Sequence, residues 1–400
     1  MYQDIVILAV FILVYSSVAG AVERTWISGA IIFTAFGLLI GPVGLDLISF
    51  HADREAIRFL AELTLGLVLF TDAAGADLGI LKKTGRLPIR LLLVGLPLTI
   101  VLGFGVAALL FPALSLFELA LLATMLAPTD AALGKAVVTN ERVPNTVRQG
   151  LNVESGLNDG ICVPILFVFL ALATGKAGEG GPWHLVVMLA AKEIGIGLAV
   201  GLLLTAMAGW LLTLAWRRQW LTETWIQVPI VALALSCSAM APLLGGSGFI
   251  AAFSGGLLFG FLAKGHRQAF LRAAEGTGDT MALITWVTFG AAVVGQHIVH
   301  FSWAILLYAV LSLTLIRMLT VFFSLAGLGV SIEGKLFIGW FGPRGLASIV
   351  FAVIVVNGNL PNGGVLAMTV VCTVILSIIL HGLSANPWAG GYGERSRSAQ

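Results

Sequence analysis

Apolar runs separated by short polar loops recur along almost the entire chain. A helix needs about 20 mostly apolar residues to cross a bilayer, and thirteen runs approach or exceed that length. They lie near residues 4–20, 25–41, 55–72, 88–111, 116–139, 146–174, 184–216, 225–241, 247–263, 279–296, 302–326, 334–356 and 363–384. The pattern predicts an all-α polytopic membrane protein with about 13 transmembrane helices.

The composition points to the same class. Of the 400 residues, 58% are hydrophobic and 10% carry a charge, whereas about 25% are charged in a typical soluble domain. So few charges could not keep the surface of a soluble protein of this length hydrated. The formal net charge of +2 gives no reason to expect nucleic acid as a partner.

Lysines and arginines are concentrated in alternate loops between the predicted spans. By the positive-inside rule, such loops face the cytoplasm. They carry Arg24, Lys82, Lys83, Arg86, Arg142, Arg148, Arg217, Arg218, Lys264, Arg267, Arg272, Lys335, Arg395 and Arg397. This asymmetry predicts an N-terminus outside and a C-terminus in the cytoplasm, and the compact loops are typical of a protein of the prokaryotic inner membrane.

Two of the predicted spans are interrupted. The fifth is broken at 127–130 (Ala-Pro-Thr-Asp) and the twelfth at 341–345 (Phe-Gly-Pro-Arg-Gly), about 214 residues further on. Paired broken helices at corresponding positions of two halves are a sequence sign of a transporter's ion site. The spacing predicts two inverted six-helix repeats, at 1–174 and 225–384, joined by a linking span at 175–224 and followed by a short cytoplasmic tail at 385–400.

A polar stripe lies within the sixth predicted span, in the segment 152–160 (Asn-Val-Glu-Ser-Gly-Leu-Asn-Asp-Gly). Residues four apart share a helix face, so Glu154 lies over Asn158 and Ser155 over Asp159. A charge at the bilayer centre costs about 2.5–3.5 kcal/mol on insertion scales, and ionisable residues there usually serve a function. The alternative is that the stripe only joins helices through hydrogen bonds, but two carboxylates within one and a half turns exceed what packing needs.

The first break offers oxygen ligands. Pro128 interrupts the helix, which frees carbonyl oxygens beside the Thr129 hydroxyl and the Asp130 carboxylate. Hard oxygens of this kind suit a small unhydrated cation. The alternative is that Asp130 merely caps a half-helix that starts at Ala131.

The second break places Arg344 inside the membrane, where a guanidinium cannot lose its proton and needs an anionic partner. Glu154 is the expected partner, so Glu154 and Arg344 are predicted to form a structural ion pair, which leaves Asp159 and Asp130 for ion chemistry. Asp72 is a further candidate at the end of the third span, with a helix-end carboxylate in interfacial water as the alternative interpretation.

The motifs 128–131 (Pro-Thr-Asp-Ala), 152–160 and 342–345 (Gly-Pro-Arg-Gly) together resemble the monovalent cation:proton antiporter-1 family, which includes the NhaP antiporters and the eukaryotic sodium/proton exchangers. The resemblance implies thirteen helices in two inverted repeats, crossed discontinuous helices at the ion site, and a homodimer. It implies that Asp159 binds both ions, that Na⁺ lies among Asp159, Asp130, Thr129 and Ser155, and that Asp72 reaches the ion in some relatives. Many relatives have proline where this chain has Ala131.

In this family, asparagine at the position of Asn158 accompanies electroneutral exchange. The expected function is therefore one-for-one exchange of Na⁺ for H⁺, with K⁺ or Li⁺ as possible cations, by alternating access and competition for Asp159. No ATP-binding loop sequence occurs, so nothing suggests that ATP drives the transport. We expect a transporter and not an enzyme, with no cofactor and with ions, lipids and a second copy as partners. The alternatives are a Na⁺-coupled symporter of an organic anion with a similar fold and, less well supported, a cation channel.

Overall fold

The computed structural model describes residues 2–22, 25, 27–47, 54–76, 86–130, 133, 135–138, 140, 142–175, 188, 190–222, 225, 228–263, 267–294 and 302–398. Within these ranges the chain is helical, with no strand. The helices are α1 (Tyr2–Val22), α2 (Gly29–Ile40), α3 (Arg54–Gly75), α4 (Arg86–Leu110), α5 (Leu116–Met125), α6 (Lys135–Val138), α7 (Asn145–Ala173), α8 (Gly197–Arg217), α9 (Val228–Leu243), α10 (Gly248–Leu262), α11 (Arg267–Thr288), α12 (Trp303–Ser324), α13 (Ile332–Trp340), α14 (Leu346–Asn357) and α15 (Gly363–Ser398).

Each apolar run identified in the sequence contains one of these helices, or two where a break was expected. By length and composition, six helices in the described part of the chain could cross a membrane: α1, α4, α7, α8 with the turn before it, α12 and the first part of α15. Five further apolar helices are shorter, namely α2, α5, α9, α10 and α14. The count of thirteen spans stays a prediction.

Several features recur at a separation of 221 residues. The Thr64 and Thr285 hydroxyls lie 3.1 Å apart, and Thr99 donates a hydrogen bond of 3.2 Å to Thr320. The π-helical segments Leu91–Gly95 in α4 and Ser312–Ile316 in α12 begin at the same separation. Contacts between equivalent residues are what an internal duplication would produce near its symmetry axis. The two inverted repeats and their bounds stay a prediction.

Both helix interruptions occur where the sequence places them. Helix α5 ends at Met125, and the chain is non-helical at 126–130; α13 ends at Trp340, and α14 begins at Leu346 after five non-helical residues. The two interruptions meet, because the Asp130 backbone N–H donates to the Pro343 carbonyl over 2.8 Å. This contact brings two distant parts of the sequence to one point.

The largest buried apolar cluster surrounds these interruptions. It joins the apolar faces of α5, α7, α14 and α15, with Leu122, Leu166, Val350 and Val370 wholly buried. By contrast, α1 has no buried residue at all. The polar residues at the two breaks are therefore enclosed by protein, whereas an isolated apolar helix such as α1 would suit contact with lipid.

The predicted cytoplasmic tail, 385–400, has regular secondary structure in its described part. Its described part, 385–398, continues α15 as helix. Tyr392 stacks on Phe337 of α13 with ring centroids 4.3 Å apart, and Arg395 pairs with Glu333 at 2.6 Å. Small and aromatic residues spaced along one helix face allow this packing. The polar residues between them kept this face from standing out as an apolar run in the sequence.

Candidate functional site

Helix α7 holds the first break in place through two side chains. The Ser155 hydroxyl donates to the Thr129 carbonyl over 2.6 Å, and the Asn158 Nδ2 donates to Thr129 Oγ1 over 2.7 Å. Ser155 and Asn158 are three apart and so lie on one face of the helix. Two residues of the polar stripe predicted from the sequence, Ser155 and Asn158, therefore contact the interrupted helix.

Asp130 joins the two breaks. Its Oδ2 accepts a hydrogen bond of 2.9 Å from the backbone N–H of Leu346, the first residue of α14, and its Oδ1 accepts one of 3.4 Å from Leu133. A carboxylate at a helix N-terminus satisfies free N–H groups and opposes the helix dipole. Asp130 thus caps the half-helix of the opposite break, which the sequence interpretation of a local cap did not foresee.

Glycine is required at this crossing. A Cβ atom at Gly345 would overlap the Asp130 carboxylate. Gly156 on α7 also faces α3, but a Cβ there would meet the Cβ and carbonyl of Asp72 at 3.4 and 3.5 Å, which is ordinary van der Waals contact.

Asp159 and Asn158 present oxygen atoms without hydrogen-bond donors. The residues are 8% and 1% exposed, and the Oδ1 atom of each has no partner. An unpaired buried acceptor costs roughly 1–3 kcal/mol. Two neighbouring acceptors of this kind are the chemical complement of a cation, or of a proton on Asp159.

Other carboxylates lie near Asp159. The charges of Asp130 and Asp72 both reach the Asp159 carboxyl. The Asp72 side chain is exposed to solvent, whereas Asp159 is buried. Thr129, Asp130, Ser155 and Pro343 line a cavity at the crossing, together with the apolar side chains of Val137, Val138, Leu151 and Phe341. The site therefore combines buried acceptors with further carboxylates nearby.

The predicted ion pair between Glu154 and Arg344 is wrong. Glu154 instead forms a two-pronged pair with Arg317 of α12, with Nη1–Oε1 and Nη2–Oε2 distances of 2.6 and 2.8 Å. Both side chains are almost fully buried. A parallel arrangement of this kind occupies both carboxylate oxygens and both outer guanidinium nitrogens, so Glu154 already has its counter-charge.

Arg344 has no exposed surface, and it donates Nη1–H to the Gly342 carbonyl over 2.7 Å. Its backbone N–H donates to the Ser377 hydroxyl of α15 over 2.7 Å. Its Nε and Nη2 atoms have no partner. Arg344 thus stabilises the conformation of its own break and retains unused hydrogen-bond donors.

Arg317 is the functional residue that reasoning from the sequence missed. It is a lone arginine in the apolar run 302–326, and such a residue needs a buried anionic partner for the same reason as Arg344. The sequence therefore already indicated that Arg317 needs a buried anionic partner. What the sequence lacked was the position of α12 beside α7, which decides which arginine reaches Glu154.

In the described part of the chain, no three His, Cys, Asp or Glu residues cluster as metal ligands would. The oxygens at the crossing come from a carboxylate, an amide, hydroxyls and backbone carbonyls. Such a set lacks the nitrogen and sulfur ligands typical of a resident transition metal and is compatible with a weakly held alkali cation.

Comparisons with known proteins show which family and fold this chain is similar to. The sequence profile of the family described as "Sodium/hydrogen exchanger, transmembrane" matches residues 6–390. The K⁺/H⁺ antiporter NhaP of Alkalimonas amylolytica is 24% identical over 390 residues, which cover 96% of this chain and 66% of that protein. A Na⁺/H⁺ antiporter of Schizosaccharomyces pombe is 23% identical, over 82% of this chain and 74% of its own length.

The structure resembles that of the sodium proton antiporter MjNhaP1 from Methanocaldococcus jannaschii, with a TM-score of 0.79 and 22% sequence identity. The similarity covers 98% of this chain and 99% of that one, and it establishes the fold. The chain spans only about two thirds to three quarters of the two sequence relatives above.

Proposed function

The chain belongs to the transmembrane sodium/hydrogen exchanger family, and we propose that it exchanges one monovalent cation for one H⁺, with both ions competing for Asp159. The observation that carries the proposal is the pair of donor-less buried oxygens, Asp159 Oδ1 and Asn158 Oδ1. A cation or a proton would satisfy the carboxylate, and the two cannot occupy it together. The competition couples the two fluxes.

The cation is bound by Asp159 and by the predicted ligands around it. Thr129 and Ser155 already hydrogen-bond to one another through a carbonyl and a hydroxyl, but each oxygen keeps a lone pair for a cation. Asp130 contributes negative charge while it caps α14. Asp72, which the family resemblance adds as a ligand in some relatives, would contribute a further carboxylate near Asp159; its exposed side chain supports access from outside the buried site.

Coupling follows from the cost of moving charge through a membrane. An empty, ionised Asp159 is an uncompensated charge in a region of low dielectric constant, whereas a carboxylate occupied by a cation or a proton is locally neutral. Only an occupied site changes its access cheaply from one side to the other. Asn158 supplies an oxygen without a second titrating group, which accords with electroneutral exchange.

Na⁺ is the proposed cation and K⁺ the chief alternative, because relatives carry both names. The homodimer, the cytoplasmic C-terminus and the inner-membrane location belong to the same proposal. They are supported by the family and by the loop charges.

The proposal is tested by dissipation of a pH gradient in proteoliposomes on addition of NaCl, KCl, LiCl or choline chloride. We expect an alkali cation to collapse the gradient in the wild type and Asp159→Asn to abolish the response. The matched control is Asp46→Asn, remote in sequence from the polar stripe; Asp46 has a φ of 49°, which asparagine also adopts readily. Cation-coupled proton flux that survives in Asp159→Asn, or flux that requires an organic anion, would contradict the proposal.

A further inference from the structure

The cavity at the crossing of the two breaks has an apolar wall opposite its polar one. Thr129, Asp130 and Ser155 line the polar side. The other side is formed by apolar side chains of α6, α7 and the second break, namely Val137, Val138, Leu151 and Phe341. Leu151 and Phe341 are each only 4% exposed, so they are also covered on the side that faces away from the cavity. The covering element decides how firmly this wall is held.

The C-terminal part of α15, residues 385–398, covers the apolar wall. Leu151 and Phe341 belong to the same buried apolar cluster as Tyr392 of α15, and Trp388 packs against that cluster. The ring centroid of Trp388 lies 5.7 Å from that of Phe341 in an edge-to-face arrangement. The C-terminal part of α15 therefore contacts a residue that lines the cavity at the candidate ion site.

The aromatic contacts continue from Phe341 along α13. The ring centroid of Phe337 lies 4.7 Å from that of Phe341, and Phe337 stacks on Tyr392 with centroids 4.3 Å apart. Trp388 also meets Phe337 edge-on at 6.3 Å. Aromatic pairs in such arrangements attract one another beyond the area that they bury. A displacement of Trp388 or Tyr392 is therefore passed to Phe341 through direct ring contacts.

Further contacts hold the same end of α15 between the two interrupted helices. The indole N–H of Trp340, at the end of α13, donates to the Ser384 hydroxyl over 2.8 Å. A Cβ atom at Gly393 would overlap Arg142, which follows α6. The ion pair at the start of α13 is exposed to solvent, and exposed pairs contribute little to stability. The end of α15 thus contacts the helix that precedes the second break and the chain that follows the first.

We propose that Trp388 and Tyr392 are positioning residues for ion exchange, which hold Phe341 in the apolar wall of the cavity beside Thr129 and Asp130. The inference rests on the proposed exchange, because it concerns the geometry of the same site. Neither ring touches a transported ion. A firmly held wall excludes water from that side of the cavity, so a dehydrated cation meets the protein oxygens without competing water.

Loosening the rings should weaken cation binding more than it slows turnover. The loss of one aromatic contact should raise the KM for the cation about fivefold, while the maximal rate per folded transporter changes little. Water that enters through the loosened wall should also reach the side chain at position 151.

The first measurement is cation-dependent proton flux in proteoliposomes for the wild type, Trp388→Ala, Trp388→Phe and Trp303→Ala, each normalised to the amount of folded protein. We expect the higher KM in Trp388→Ala and its recovery in Trp388→Phe, which keeps an aromatic ring. Trp303→Ala is the matched control, because Trp303 is 86% exposed at the start of α12.

The second measurement is the rate at which a membrane-impermeant methanethiosulfonate reagent labels Leu151→Cys, in protein whose three buried native cysteines are replaced by alanine. We expect labelling to be severalfold faster with Trp388→Ala than with Trp388→Phe. A purely structural role would lower the yield or the melting temperature of the protein, without faster labelling and without a change in KM that Trp388→Phe reverses.

A wild-type KM or a wild-type labelling rate in folded Trp388→Ala overturns the inference and leaves exchange at Asp159 standing. If that variant does not fold, Trp388→Leu takes its place with the same expected results, because leucine keeps apolar volume but loses the aromatic contact. A wild type without cation-dependent proton flux overturns the proposed function and the inference together.

Discussion

The two helix breaks of this protein are held in different ways. The first, at 126–130, depends on side chains of the neighbouring helix α7, because Ser155 and Asn158 both bind Thr129. The second, at 341–345, depends on Arg344, which binds a carbonyl of its own segment, and on Asp130, which caps the helix that follows. Ser155 and Asn158, which anchor the first break, also border the candidate ion site. A shift of the first break should therefore change the geometry of the ion site.

The two buried arginines near the second break also differ in how they are held. Around the second break lie two buried arginines: Arg317, which a Cβ atom at Gly342 would overlap, and Arg344 within the break itself. Arg317 has a two-pronged carboxylate partner and Arg344 has no direct one. Arg317 is therefore part of the framework, whereas Arg344 retains hydrogen-bond donors without a partner.

The largest effect is expected from breaking the framework pair. Removing one partner of a buried ion pair costs about 3–5 kcal/mol, so Glu154→Gln should lower the thermal stability of the purified protein severely. An added Arg317→Met should restore most of the loss, because the guanidinium that lost its carboxylate partner is then removed as well. By contrast, adding Arg344→Met to Glu154→Gln should not restore the lost stability. Equal rescue by the two arginine changes in a thermal unfolding assay would remove the distinction between them.

A smaller effect is expected from pushing the two breaks apart. Gly345→Ala places a methyl group against the Asp130 carboxylate that caps α14. Overpacking of this kind costs about 1–3 kcal/mol, and exchange should fall together with stability. The control is Gly364→Ala in the first turn of α15, where a Cβ atom would meet nothing within 4 Å. Wild-type exchange in Gly345→Ala would show that the Asp130 contact is dispensable.

The smallest effects are expected from the two serines that hold the breaks, Ser155 at the first and Ser377 at the second. Ser155→Ala removes the donor to the Thr129 carbonyl, and Ser377→Ala removes the acceptor of the Arg344 backbone N–H. Each loss should cost about 1 kcal/mol of stability. We expect only Ser155→Ala to raise the KM for the cation severalfold, because only that serine borders the ion site. Similar KM changes in both variants, measured by cation-dependent proton flux, would mean that the breaks move as one unit.

The sequence alone determined the helical class, both helix breaks and the polar stripe of α7. These features are local. Apolar runs of membrane length form helices because the bilayer demands internal hydrogen bonding, Pro128 and Pro343 interrupt those helices, and the period of a helix puts Ser155 and Asn158 on one face. The motif residues Asp159, Asn158 and Thr129 therefore stand out from the pattern of the chain by itself, although their ion-binding roles remain proposals.

Only the tertiary structure decided which distant residues become partners. Glu154 could have paired with either buried arginine, and the position of α12 beside α7 gave it Arg317. Asp130 accepts a bond from Leu133 of its own segment, and the crossing gave it the N-terminus of α14 in addition. Helix packing also seats 385–398 on α13, a contact that the sequence pattern did not indicate. Partner choice depends on distances between helices far apart in sequence, and these follow from the packing of many side chains at once.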